Sequence, residues 1–245
     1  MRTTAKRRIT GSRIVGMVLM LSVAALPDAR VAWAESGTPA LPKGFVHLAQ
    51  IAPGIRQEIR YYTNYNFVGT RIDGYLAPAC ILTVPAAEAL KAVQAELATF
   101  GLGLKVYDCY RPQRAVNHFI RWAKDLADTR MKRVFYPDVD KKDLFKDGYI
   151  AARSSHSRGS TADLTIVALA PDGTASDIDM GTGFDLFSLK SWPTSRAIGG
   201  GQRAHRMLLQ ALMVKHGFAP YPQEWWHFTL KGEPHPDTYF DFPVE

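Results

Sequence analysis

The sequence predicts an α+β fold: a single domain with a small antiparallel sheet flanked by helices. Three observations carry the prediction. Helical and strand patterns alternate irregularly along the chain, not in regular βαβ units. An Asp172-Gly173 pair, a hairpin signal, sits inside the turn-rich run APDGTASDIDMGTG at 170–183. No Gly-rich phosphate loop follows any strand pattern, so a nucleotide-binding parallel sheet has no support.

The chain opens outside that fold. Arg2, Lys6, Arg7, Arg8 and Arg13 make a basic start, and an apolar run follows from Ile14 to Leu26. Ala32-Trp33-Ala34 then places small residues where a signal peptidase reads, so residues 1–34 are expected to be a secretory signal peptide. The run is short for a membrane span, and an uncleaved anchor is the alternative. Of the 30 Lys+Arg and 23 Asp+Glu in the 245 residues, the leader holds six bases and the acid Asp28. The remainder therefore carries 24 against 22, and no nucleic-acid partner is implied. Residues 35–245 suit one compact domain, exported, periplasmic and without stable membrane association once the leader is cleaved.

Within that domain Thr83-Val84-Pro85 opens a helix, with Thr83 as N-cap and Pro in the first turn. Ala86, Leu90, Val93, Leu97 and Phe100 recur at three- and four-residue steps, and Gly101 ends the run. Leu102 to Cys109 reads as a short strand broken by Arg111-Pro112. A second helix is expected from about Gln113 to Asp128, with Val116, Phe119, Ile120 and Ala123 on one side. The charged stretch 131–150 reads as a long loop, and Thr161 to Leu169 as a strand. A third helix fits Gln202 to His216, stopped by Gly217. Phe218 to Gln223 contains two prolines, and Trp225 to Leu230 is aromatic and β-rich, the last strand. Cys80 and Cys109 both lie in the exported part. An oxidising compartment favours a disulfide between them, with two buried free thiols as the alternative.

The residues that carry chemistry sit in two places. SSHSRGSTADLTIV, 154–167, holds His156 and Asp163, and EWWHF, 224–228, holds Glu224 and His227. Two imidazoles and a carboxylate make a zinc ligand set that leaves a fourth position for water. Glu224 is then the candidate base. Each also has a plainer reading. His156 in a polar loop can be merely exposed, Glu224 can be a surface acid, and Trp225 and Trp226 can be core or cleft wall. Asp163 inside a strand is less neutral, because a carboxylate at a half-buried position needs a partner. In a regular strand Glu224 and His227, three apart, point to opposite faces. The prolines before them suggest that Glu224 sits on a bend instead.

Together these pieces resemble the zinc D-Ala-D-Ala dipeptidases, within the wider zinc D,D-peptidases of Hedgehog-type fold. The matching segments are RYYTNYNFVG (60–69), DCYRPQRAV (108–116), SSHSRGSTADLT (154–165), MGTGFD (180–185), EWWHFTL (224–230) and YFDFP (239–243). The resemblance implies one Zn2+ per chain on His156, Asp163 and His227, with Glu224 as base and Arg111 stabilising the transition state. It implies further that Asp185 holds the free amine of a small D-amino-acid dipeptide, with Tyr61 and Ser154 lining the pocket. The leader and the two cysteines depart from the resistance enzymes, which protect a cytoplasmic precursor pool. Two rival functions share the constellation: a cell-wall D,D-carboxypeptidase or endopeptidase, and a zinc-stabilised binding module without turnover.

Overall fold

The computed structural model describes residues 41–245. The leader 1–34, and the start of the domain at residue 35, lie outside the described residues. In chain order these comprise β1 (Phe45–His47), α1 (Leu48–Ile51), β2 (Arg56–Gln57), β3 (Ile81–Thr83), α2 (Val84–Ala98), β4 (Leu102–Asp108), α3 (Gln113–Lys124), α4 (Lys132–Phe135), β5 (Thr161–Leu169), β6 (Ala175–Asp177), α5 (Gly200–Lys215), β7 (Phe218–Tyr221) and β8 (Glu224–Leu230). The fold is the predicted α+β class. The main sheet runs β2-β4-β5-β8-β7, with β6 also on β5, and all its pairs are antiparallel except β2–β4. A separate two-stranded ribbon joins β1 to β3. Among the described residues, no helix is long and apolar enough to cross a membrane.

The helical spacing of α2 buries Ala86, Leu90, Val93 and Leu97, and α2 packs on β4. Phe100 leaves the pattern: the helix ends at Ala98, and Phe100 is 77% exposed. Thr83 occupies the N-cap position with extended backbone, but its hydroxyl caps nothing. It bonds the Ser160 hydroxyl instead, at 2.7 Å. The second helix is shorter than its pattern and stops at Lys124. Beyond it, the carbonyls of Asp125 and Asp128 each accept from the Lys141 ammonium at 2.6 Å, which folds this stretch back on itself. That contact also corrects the reading of 131–150 as a loop. The segment contains α4 and buries Phe135, Tyr136 and Leu144, so it belongs to the core despite its charges.

The hairpin at Asp172-Gly173 forms as expected, with Gly173 at positive φ between β5 and β6. The proline-bearing stretch Phe218–Tyr221 forms the strand β7. Pro220 is tolerated because β7 is an edge strand, where a missing N–H interrupts no ladder. Cys80 and Cys109 are disulfide-bonded, with Cα atoms 5.3 Å apart, so the free-thiol alternative does not hold.

Candidate metal centre and substrate cleft

Two irregularities in the sheet assemble the site. Val106 pairs with Leu164 across β4 and β5, but the register then shifts so that Asp108 faces Asp163. Asp163 in turn pairs with His227 on β8. Asp108, Asp163 and His227 thus form a row across three neighbouring strands. Bulges commonly re-aim side chains beside active sites in this way. The second shift, between Pro220 and Tyr221, sets Glu224 opposite Tyr221 at the start of β8. Glu224 therefore escapes the alternation of a regular strand, and its Oε2 comes 3.5 Å from His227 Nδ1. The bend expected from the prolines is this irregularity.

His156 arrives from a 3-10 turn, Ser155–Arg158, that ends at Gly159 with φ +84°. Its Nε2 lies 3.3 Å from Asp163 Oδ2 and 3.2 Å from His227 Nδ1. His227 Nδ1 is 3.1 Å from Asp163 Oδ1, an oxygen that is buried and has no hydrogen-bond partner. Zinc–nitrogen and zinc–oxygen bonds of about 2.0–2.1 Å put tetrahedral ligands about 3.3 Å apart. The separation of the two imidazole nitrogens matches that edge length, and each of the three residues offers a ligand atom within 4.8 Å of the others, so the donor set suits a zinc ion. The remaining ring nitrogens are already committed. His156 Nδ1 donates to the Cys109 carbonyl at 2.7 Å, and His227 Nε2 lies 3.2 Å from Ser155 Oγ. Those contacts leave the metal-side nitrogens free to coordinate.

The electrostatics of His156, Asp163 and Glu224 suit these roles. Burial disfavours an imidazolium at His156 and lowers its pKa, which suits a neutral ligand. Burial opposes the charge on Asp163, but the two histidines outweigh it and hold the carboxyl well below the usual range. His227 is lifted by Asp163 against the pull of burial. The Glu224 carboxyl is pushed up, mainly by burial and then by Asp163, against the pull of His227. A raised carboxylate is a better proton acceptor near neutrality.

Arg111, Asp185, Tyr61 and Ser154 line the same cleft, of about 370 Å³, as the three ligands and Glu224. Arg111 is held by Asp108, Nε at 2.9 Å and Nη2 at 2.8 Å, and its guanidinium lies 4.9 Å over the Tyr61 ring. Asp185 accepts from the Tyr61 hydroxyl at 2.8 Å. It is the non-glycine described residue with positive φ, +60°, a conformation that aspartate tolerates better than most. Burial and then the Asp163 charge raise its pKa well above normal, so a cation beside it would be welcome. Ser154 lines the cleft while its hydroxyl accepts from the His156 amide and caps the turn.

Sequence reasoning missed two supporting residues. Asp108 is fully buried, accepts from Tyr75 at 2.6 Å and orients Arg111. Its one trace in the sequence is an acid on the parity of Leu104 and Val106, three residues before Arg111, which by itself assigns no role. Ser155 carried no signal beyond its neighbour His156.

An α+β domain whose one cleft holds two histidines and an aspartate able to ligate a metal, with a further carboxylate and an arginine, has the parts a metallopeptidase requires. A family model described as D-ala-D-ala dipeptidase matches residues 42–245. D-alanyl-D-alanine dipeptidase of Streptomyces coelicolor is 44% identical over 200 residues, covering 82% of this chain and 98% of that protein. Its counterpart in Enterococcus faecalis is 40% identical over 204 residues, covering 83% and 100%. A solved Zn(II) complex of the vancomycin-resistance D,D-pentapeptidase VanY is more distant, at 16% identity and TM-score 0.40 over 64% of this chain and 77% of that one. The chain belongs to the D-Ala-D-Ala dipeptidase family.

Proposed function

We propose that this protein is a zinc-dependent dipeptidase that hydrolyses D-alanyl-D-alanine to D-alanine. The observation that carries the reading is one cleft holding the His156–Asp163–His227 set, the base Glu224 and the buried acid Asp185. When bound, zinc polarises the scissile carbonyl and lowers the pKa of a water toward about 7. Glu224 takes a proton from that water as its oxygen attacks the carbonyl carbon. The same carboxyl returns the proton to the leaving nitrogen as the C–N bond breaks. Arg111, anchored by Asp108, meets the negative charge growing on the carbonyl oxygen, a contribution on the order of 3 kcal/mol. Asp185 pairs with the substrate ammonium, and Tyr61 fixes the carboxylate that does so. A requirement for a free amine separates a dipeptidase from a carboxypeptidase that trims longer chains.

The place of action we propose is outside the cytoplasm, in the periplasm. The leader pattern supports it, as does a disulfide buried in the core. In that compartment the enzyme meets dipeptide released from cell-wall material, and not the precursor pool.

The test incubates zinc-loaded protein with D-Ala-D-Ala, L-Ala-L-Ala and N-acetyl-D-Ala-D-Ala. Turnover of the first far above that of the other two is expected. Equal turnover of the acetylated compound would transfer the protein to the carboxypeptidases. Zinc binding without turnover of any of them would make it a binding module.

A further inference from the structure

Two features remain outside the mechanism: the disulfide, and Thr83, whose hydroxyl leaves its helix uncapped. Both belong to one short segment, Cys80 to Thr83, and both reach toward the metal site. At one end Cys80 is bonded to Cys109. The Cys109 carbonyl holds His156 Nδ1 at 2.7 Å, and its neighbours Asp108 and Arg111 serve the same site. The Tyr110 amide also donates to the Ile81 carbonyl at 2.9 Å. At the other end the Thr83 amide donates to the Gly159 carbonyl at 2.8 Å, and its hydroxyl meets Ser160 at 2.7 Å. Gly159 and Ser160 lie between the ligands His156 and Asp163. Cys80, Cys109, Thr83 and Ser160 are all buried, so water does not compete for these contacts.

We propose that residues 80–83 form a brace that sets the metal site, with the disulfide and the Thr83–Ser160 hydroxyl pair as its two anchors. These are positioning residues: none touches substrate. The brace joins the segment that orients His156 to the loop that carries His156 and Asp163. Its effect is to hold both halves at the spacing the ion needs before the ion arrives. Removing groups that orient metal ligands typically lowers affinity 10- to 100-fold.

The inference rests on the zinc-site reading above, and its test reads zinc binding, not turnover. Zinc affinity is measured by chelator competition on wild type, Cys80→Ala/Cys109→Ala, Thr83→Val and Ser160→Ala. The Co2+-substituted forms give an absorption spectrum that reports ligand geometry. Leu90→Ala, a core variant outside residues 80–83, controls for loss of stability, with Tm recorded for every protein. The expected result is a zinc Kd raised at least about tenfold in the cysteine pair variant. A smaller rise is expected in Thr83→Val and Ser160→Ala, and altered Co2+ spectra in all three. Leu90→Ala should lower Tm and leave Kd and spectrum at wild-type values. If the cysteine variant does not fold, Thr83→Val and Ser160→Ala decide. Unchanged Kd and spectra in these two would overturn the brace, as would equal changes in Leu90→Ala. A wild type that binds zinc but turns over no dipeptide would sink the proposed activity and leave the brace standing. A wild type that binds no zinc would sink both.

Discussion

At the residue scale the proposed roles divide the site into groups that would hold the ion and groups that would act on substrate, and substitution separates them. Glu224 is 3.5 Å from His227 but outside the three-ligand set. Glu224→Ala should therefore keep zinc near wild-type content and lose at least about a hundredfold in kcat, the lower range for a general base. His227→Ala leaves two ligands and should lose the metal as well as the rate. Metal analysis beside steady-state kinetics reads both, and loss of zinc in Glu224→Ala would make that residue a ligand. Asp185 gives a second contrast. A charge-assisted bond to the substrate ammonium has no counterpart in an acetylated substrate. Asp185→Ala should cut kcat/KM for D-Ala-D-Ala steeply and leave the residual rate on N-acetyl-D-Ala-D-Ala unchanged. Equal losses on both substrates would remove the amine subsite. His156, Asp163, Glu224 and His227 were nominated through the motifs of the resemblance, and the structure brings all four into one cleft. Asp108 was not assigned a role, because a single acid in a strand does not reveal that a register shift turns it toward Arg111 and Asp163.

At the element scale, site precision depends on short irregular pieces more than on helices. The turn that delivers His156 closes through Gly159 at φ +84°, and a Cβ there would run into the Phe45 ring. Gly159→Ala combines left-handed strain with overpacking, so it should destabilise by about 2–4 kcal/mol. Because the strain lies between two ligands, zinc affinity should fall with it. Thermal melts and chelator competition check this, and a variant with wild-type Tm would contradict the packing argument. The long strand β5 matched its sequence pattern, and α2 and α5 nearly so, because burial repeats at the strand or helix period. The stretch 131–150 did not. Its charges suggested solvent, yet Lys141 satisfies its ammonium on backbone carbonyls and lies over the Trp122 ring at 4.1 Å.

For the whole molecule, the disulfide links residues 29 apart and joins the β1–β3 ribbon to the end of β4. Closing a loop of that length removes about 3–4 kcal/mol of unfolded-state entropy in the chain-entropy model. Cys80→Ala/Cys109→Ala should therefore lower Tm by roughly 10 °C for a domain of this size. Non-reducing peptide mapping of the purified protein should recover the two cysteines linked. A wild-type Tm in the double variant would mean that packing alone holds the ribbon.

By itself the sequence determined the fold class, the strand carrying Asp163 and the hairpin at Asp172-Gly173, and it nominated His156, Asp163, His227 and Glu224 for the metal and base roles. These rest on local periodicity, turn chemistry and residue type, which are properties of neighbours along the chain. Only the tertiary structure decided how residues far apart meet. The shift at Val106/Asp108 aligned Asp108 with Asp163, the shift at Pro220/Tyr221 let Glu224 reach His227, and Cys80 to Thr83 came to span both halves of the site. The physical reason is that strand register and side-chain partners are set by packing across the sheet. A one-residue slip reverses every side chain, and no local pattern along the chain records it.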